Sequence, residues 1–319
     1  MLSDLIAILW APFLMCLVLT GIHAYLGVHV LAREVVFVDI AMAQIAAFGA
    51  TVAFLIGYDT ETWQSYAYAL TATLVGAVVL ALTRSRQRRL SQEAVIGVVY
   101  AVSSAAAVLV ADRAAHGAEQ VRGMLVGNLL AVGPLEVARV AGLYSLVGVM
   151  HWFCRRPFFL ISTDPDAAYA DGWRVRLWDF LFYASFGVVV ASSVRIAGVL
   201  LVFSYLIVPA LAGVVLGGSV LSRLLIGWSF GTLVSVLGMV ASAALDLPTG
   251  ATVVCAFGLT LSLFGLAFRL GWLRTTVVGP GAAGSVPVQE GQANQQQEAV
   301  DRRQPAEHGQ ERREPKHRA

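Results

Sequence analysis

The sequence predicts an all-α, polytopic membrane protein with about eight or nine transmembrane helices, including one that is short or broken. Three observations carry this. The first is a series of long apolar runs separated by short polar loops. The second is composition: 58% apolar and 13% charged residues, where soluble domains carry about 25% charged residues. The third is the sorting of arginine between alternate loops.

In chain order the runs are Leu5–Val28, Val35–Ile56, Ala67–Leu82, Ala94–Ala111, Val140–Phe153, Phe180–Ser192, Ile196–Leu216, Leu224–Ala244 and Ala251–Phe268. The first has no charged n-region and no small-residue cleavage site before the next run, so it is read as a retained helix. The second holds Asp39, an acid inside an otherwise apolar stretch, where an ionised carboxylate is costly unless a cation uses it. Phe180–Ser192 falls short of the roughly twenty residues that a span needs. Its neighbour Ile196–Leu216 carries Gly198, Pro209 and Gly213. One of this pair is expected to be a half-helix or broken helix facing a cavity, where irregular backbone is tolerated at membrane depth. Beyond Val277 the chain turns to Gly, Pro, Gln, Glu and Arg without aromatic residues, which predicts disorder. The expected organisation is a transmembrane domain, 1–274, and a cytoplasmic tail, 275–319.

When loops are assigned alternately to the two sides, twelve arginines fall on one side: Arg33, Arg84, Arg86, Arg88, Arg89, Arg155, Arg156, Arg174, Arg176, Arg223, Arg269 and Arg274. Only four fall on the other, Arg113, Arg122, Arg139 and Arg195. The rich side is predicted to be cytoplasmic, in a multi-pass protein of the cell's inner membrane with a cytoplasmic C-terminus. The net charge of +2 is then topological and gives no argument for nucleic-acid binding. Cys16, Cys154 and Cys255 are far apart in sequence and in or at the end of apolar runs, so packing roles are expected rather than disulfides or a thiolate site.

Several chemistries are missing from the sequence. Its only lysine is Lys316, in the tail, so no Gly-rich loop ending in Lys-Ser/Thr can cradle a nucleotide. There is no His-Glu-x-x-His and no Gly-x-Ser-x-Gly. An enzyme is not expected, and any ATP hydrolysis belongs to another chain.

Five stretches carry a family resemblance: Arg33-Glu-Val-Val-Phe-Val-Asp39 through Gly49, Glu93-Ala-Val-Ile-Gly97, Gly123-Met-Leu-Val-Gly127, Gly198-Val-Leu-Leu-Val202 through Pro209-Ala210, and Asp246-Leu-Pro-Thr-Gly250. In this order and spacing the chain resembles the permease subunit of bacterial zinc/manganese/iron ABC importers, over about residues 10 to 270. The resemblance implies a type II ABC importer-like fold and a homodimer. It also implies cytoplasmic ATPase subunits, and an extracytoplasmic binding protein that delivers the ion. The divalent metal is cargo, and no permanently bound cofactor is implied.

That family places an Asp and a His four residues apart on the second helix, where both project onto one face. Here Asp39 is present, position 43 is Ala, and the next polar residue is Gln44. Losing an imidazole shifts the donors toward oxygen, which Mn²⁺ or Fe²⁺ tolerates better than Zn²⁺. Gln44 is five residues from Asp39, about 140° around the helix. It is carried as a metal-site candidate alongside a packing role. Asp39 itself also admits pairing with Arg33.

His116 and Glu119, three residues apart with Asp112 nearby, are the expected external residues for catching a divalent cation. His23 and His29 point to different faces, and packing or interfacial roles are expected for both; His151 gives no signal. Asp179 and Arg195 are expected as interfacial anchors, and Glu93 as a favourable charge at its own helix N-terminus. On the cytoplasmic side, Pro209 is expected to interrupt its helix. Ala210–Ser222 then turns back as a short segment across that face. By resemblance Pro209, Ala210, Ala212, Gly213 and Arg223 are the contact with the ATPase, with Phe158–Trp178 as a second loop beside them. Two other classes remain open: a siderophore or cobalamin-type permease, and an ion-coupled secondary transporter.

Overall fold

The computed structural model describes residues 2–84, 91–114 and 116–270, among which there is no strand. The predicted tail lies outside them, as do Arg86, Arg88 and Arg89. Eleven α-helices follow one another: α1 Leu2–Ala32, α2 Val38–Ile56, α3 Trp63–Thr83, α4 Gln92–Ala111, α5 Gly117–Val126, α6 Pro134–Phe153, α7 Arg155–Thr163, α8 Pro165–Ala170, α9 Val175–Leu216, α10 Val220–Leu245 and α11 Thr249–Arg269. Local chemistry sets several ends. Gly57, at φ 103°, closes α2 in a left-handed cap. Thr62 caps α3 by accepting from the Ser65 amide, and Ser219 and Ser222 form a reciprocal capping box at the start of α10.

Among the described residues seven helices are long and apolar enough to cross a membrane, or eight if α6 and α7, bent by 76°, make one span. α9 accounts for the ninth predicted pass. Its 42 residues extend about 63 Å at about 1.5 Å per residue, twice the roughly 30 Å of a bilayer core. Gly198, at φ 77° and ψ 160°, breaks it. Before the break α9 runs antiparallel to α1, with Asp179 at Arg33 and Ser193 at His23. After the break Leu206 is back against Gly27 of α1, so the chain turns at Gly198. The two short apolar runs are therefore the arms of one broken helix.

Pro209 does not interrupt α9, contrary to expectation, and no short segment lies across the face behind it. The helix continues to Leu216 and turns at Gly217–Ser219. A proline inside a helix costs about 3 kcal/mol, but here α10 is shaped around it. A Cβ on Gly231 would lie 3.0 Å from Pro209 Cγ, and one on Gly227 would lie 2.8 Å from the Pro209 carbonyl oxygen. Small residues let membrane helices approach closely, and dispersion contacts over that area offset the lost hydrogen bond.

α1, α2 and α9 form the centre, with Phe182, Tyr183, Phe186 and Tyr205 of α9 fully buried. At the arginine-rich end Asp179 is no interfacial anchor. It is fully buried, 2.8 Å from Arg33 Nη1 and 3.0 Å from Arg84 Nη1. Arg33 also donates to Ser162 and lies over the Phe182 ring. Asp39 is thus not the partner of Arg33. The histidines expected to pack or sit at the interface, and the one that gave no signal, belong to two buried polar clusters. Tyr25 Oη contacts His29 Nε2 at 3.0 Å and His151 Nδ1 at 3.2 Å, and His23 contacts Ser193. Of the cysteines, Cys16 is buried against Met239, and all three are free.

Candidate functional site

At the end of the bundle away from Arg33 a cavity of about 350 Å³ opens between α2, α3, α5 and α9. Ala46, Ala47, Ala50 and Phe54 of α2 form one wall. His116, which precedes α5, Glu119 and Gln120 of α5, and Asn128 stand across it. The structure therefore brings the expected His116–Glu119 pair to a cavity mouth. His116 Nδ1 is 3.9 Å from Glu119 Oε2, and both side chains are more than 80% exposed. Asp112 is not part of the lining. Glu61, from the α2–α3 loop, joins the wall. Sequence reasoning missed it, because nothing local distinguishes it from a solvated loop acid. Gln120 was also missed, and both its amide atoms are buried without a partner. Arg195 lines the same cavity and pairs with Glu136 at 2.9 Å.

Asp39 lies on α2 toward the other end. Positions 39, 43, 46 and 50 step by four, three and four residues, so they share one helical face. Ala46 and Ala50 are cavity wall, and Asp39 is about 10 Å further along that face at about 1.5 Å per residue. It is completely buried, and neither carboxylate oxygen has a hydrogen-bond partner. Ala43, between Asp39 and the cavity, is 1% exposed. Gln44 is half-buried on a different face and is not part of the cavity wall, so the structure does not join it to Asp39.

A second cavity, of about 460 Å³, opens at the arginine-rich end. It is lined by the residues leading into α2, Arg33, Glu34 and Val35, with Arg84, Gln92 and Glu93 among those facing them. Glu93 Oε1 accepts the Phe37 amide at 3.1 Å. It thus caps α2, beyond the role expected for it at its own helix. α2 runs from one cavity to the other, and Asp39 falls in the shielded stretch between them. Among the described residues no three His, Cys, Asp or Glu side chains are grouped to hold a metal ion.

The residues expected to touch an ATPase are mostly interior. Pro209, Ala210, Ala212 and Gly213 are buried, and a Cβ on Gly213 would collide with the Arg223 carbonyl of α10. Arg223 is half-buried and donates through Nε to the Gly217 carbonyl. What this corner exposes is the turn Gly218–Leu221, with Leu221 67% exposed.

Three of the motif stretches meet at one point. Gly127 follows α5 at φ 70°, and Gly198 breaks α9 at φ 77°. Each would drive a Cβ into the other's backbone, and the Asn128 amide donates to the Ile196 carbonyl at 3.0 Å. Gly250, in the first turn of α11, comes against the Val126 carbonyl at the same place.

The chain is similar to known proteins. The chain is 24% identical over 245 residues to the manganese transport system membrane protein MntC of Halalkalibacterium halodurans, covering 76% of this chain and 80% of that one. It is 24% identical to the manganese import system permease protein ScaB of Streptococcus parasanguinis, covering 72% and 79%. A probable metal transport system membrane protein of Thermotoga maritima is 28% identical over 70% and 77%. The solved structure of PsaBC from Streptococcus pneumoniae in complex with Fab superposes with a TM-score of 0.68, covering 84% of this chain and 95% of that one at 19% identity. That likeness is one of fold. A sequence model of the ABC 3 transport family matches residues 6–269, nearly the whole helical bundle, and the chain is a member of that family.

Proposed function

We propose that this chain is the membrane permease of an ATP-driven importer for a divalent transition metal, with Mn²⁺ its main cargo. One observation carries this: a fully buried, unpartnered carboxylate, Asp39, on the helix that joins two cavities at opposite ends of the bundle. An ionised carboxylate at membrane depth needs a cation or a proton beside it, and a passing ion satisfies that need. The similarity to proteins named as manganese transporters supports the choice of ion, and so does chemistry. With Ala at position 43 the shielded stretch offers oxygen and no imidazole, a donor set suited to Mn²⁺ more than to Zn²⁺.

The arginine-rich end faces the cytoplasm of a bacterial cell on this proposal, with the C-terminus on that side. His116 and Glu119 then face the extracytoplasmic space, where a metal-binding protein delivers the ion. The absence of a phosphate-binding lysine loop makes separate ATPase subunits the energy source. They seat on the exposed Gly218–Leu221 turn and on α7–α8. A second copy of the permease completes the transporter, and alternating access follows from motion of the attached helices.

The test is ATPase activity of the reconstituted transporter with its binding protein, measured with Mn²⁺, Zn²⁺ and Fe²⁺ in turn. Mn²⁺ is expected to stimulate hydrolysis most, with parallel accumulation of the ion in vesicles. Hydrolysis that responds to none of the three, or accumulation without ATP, would overturn the proposal.

A further inference from the structure

We infer that Glu93 is the next ligand of the transported cation after Asp39, passing it from the shielded stretch of α2 into the cavity at the arginine-rich end. This deepens the proposal that Asp39 binds the ion, and rests on it.

The geometry begins with the first turn of α2. Glu93 stands in the first turn of α4 and caps α2 by accepting the Phe37 amide through Oε1 at 3.1 Å. Phe37 is the residue before α2, and Asp39 is its second residue. The two acids therefore converge on one helix end. Each has unfilled acceptor capacity: Glu93 Oε2 is buried without a partner, and so are both oxygens of Asp39. Glu93 lines the cavity while Asp39, at 0% exposure, does not reach it.

Arg33 and Arg84 also line the cavity, and both contact Asp179 of α9; among the described residues no ion pair joins either arginine to Asp39 or Glu93. Two carboxylates gathered at one helix end repel each other, and a divalent cation between them relieves that repulsion. The helix N-terminus adds positive potential, so binding there is weak enough to permit release. Carboxylate oxygens suit Mn²⁺, Fe²⁺ and Mg²⁺, and give no preference to a soft ion.

Capping and ion passage separate experimentally, because Glu93→Gln keeps an acceptor for the Phe37 amide and removes only the charge. In cells holding the complete transporter, the expected result for Glu93→Gln is normal membrane abundance and at least a tenfold higher KM for Mn²⁺ uptake. Glu93→Ala is expected to show the same transport loss and, in addition, lower thermal stability of the purified complex. Wild-type uptake by Glu93→Gln, with damage confined to Glu93→Ala, would reduce Glu93 to a cap and overturn the inference. Failure of Glu93→Gln to accumulate would also overturn it, since its charge would then be needed for folding. Asp39→Asn run alongside separates the two levels. Its transporting normally removes the parent proposal, whereas its failing while Glu93→Gln transports normally removes only this one.

Discussion

Arg33 Nη1 lies 2.8 Å from Asp179 Oδ1, with both side chains at most 1% exposed, and Arg84 reaches the same carboxylate from α3. One acid on α9 thus gathers the arginine-rich ends of α1 and α3. Removing one member of a buried ion group leaves the others uncompensated, at a cost of about 3–5 kcal/mol. Asp179→Ala is expected to lower the thermal midpoint of the purified protein sharply, and Arg84→Ala less, because Arg84 is 15% exposed. Thermal unfolding in detergent checks the order; equal midpoints for both variants and wild type would count against it.

Among the described residues Asp39 has no hydrogen-bond partner, so its charge is expected to matter for transport more than for folding. Asp39→Asn should accumulate normally and lose at least about 90% of Mn²⁺ uptake, the loss expected if its ligand contribution exceeds about 1.4 kcal/mol. Gln44→Ala, on a different face, should transport within about twofold of wild type. Isotope uptake normalised to membrane abundance decides both.

Ala43 stands on the face between Asp39 and the cavity wall, so an imidazole there adds a nitrogen donor in line with the route. Ala43→His is expected to make Zn²⁺ a stronger competitor of Mn²⁺ uptake. The site is tightly packed, and overpacking of this kind costs about 1–3 kcal/mol, so abundance should drop modestly. Competition curves unchanged between variant and wild type would remove position 43 from the path.

Gly213 faces the Arg223 carbonyl without room for a Cβ, so Gly213→Glu should fail to fold. Leu221→Asp tests coupling better, because Leu221 is 67% exposed on the α9–α10 turn. That variant is expected to fold, and to lose metal-stimulated hydrolysis by the assembled complex. Full stimulation in Leu221→Asp would move the contact to α7–α8.

The seven long helices were legible because each carries an apolar stretch long enough to cross a bilayer, a signal independent of partners. Asp39 was legible for the same reason, as an acid where none should be. What escaped was everything set by tertiary proximity. Pro209 looks like a helix breaker until Gly227 and Gly231 are placed opposite it. Gly198 read as one of several weak points, and only its positive φ against Gly127 shows it to be the turn. Asp179, His23 and His29 read as border or packing residues and His151 gave no signal, since no local spacing shows that α1, α7 and α9 bring their partners together. Glu61 and Gln120 reach the cavity only through the way the α2–α3 loop and α5 fold over it.

The junction of Gly127, Gly198 and Gly250 is made of main chain alone. Three strands of the covalent backbone touch there with no side chain as intermediary, so the joint has no chemistry to tune and almost no tolerance. Ten-residue α5, which carries Glu119 and is preceded by His116, is pinned at its far end by this joint. The pin's geometry does not depend on which side chains α5 displays. The cavity mouth is therefore a replaceable face on a fixed mount: its side chains can change while the main-chain frame that aims them at the bundle stays put.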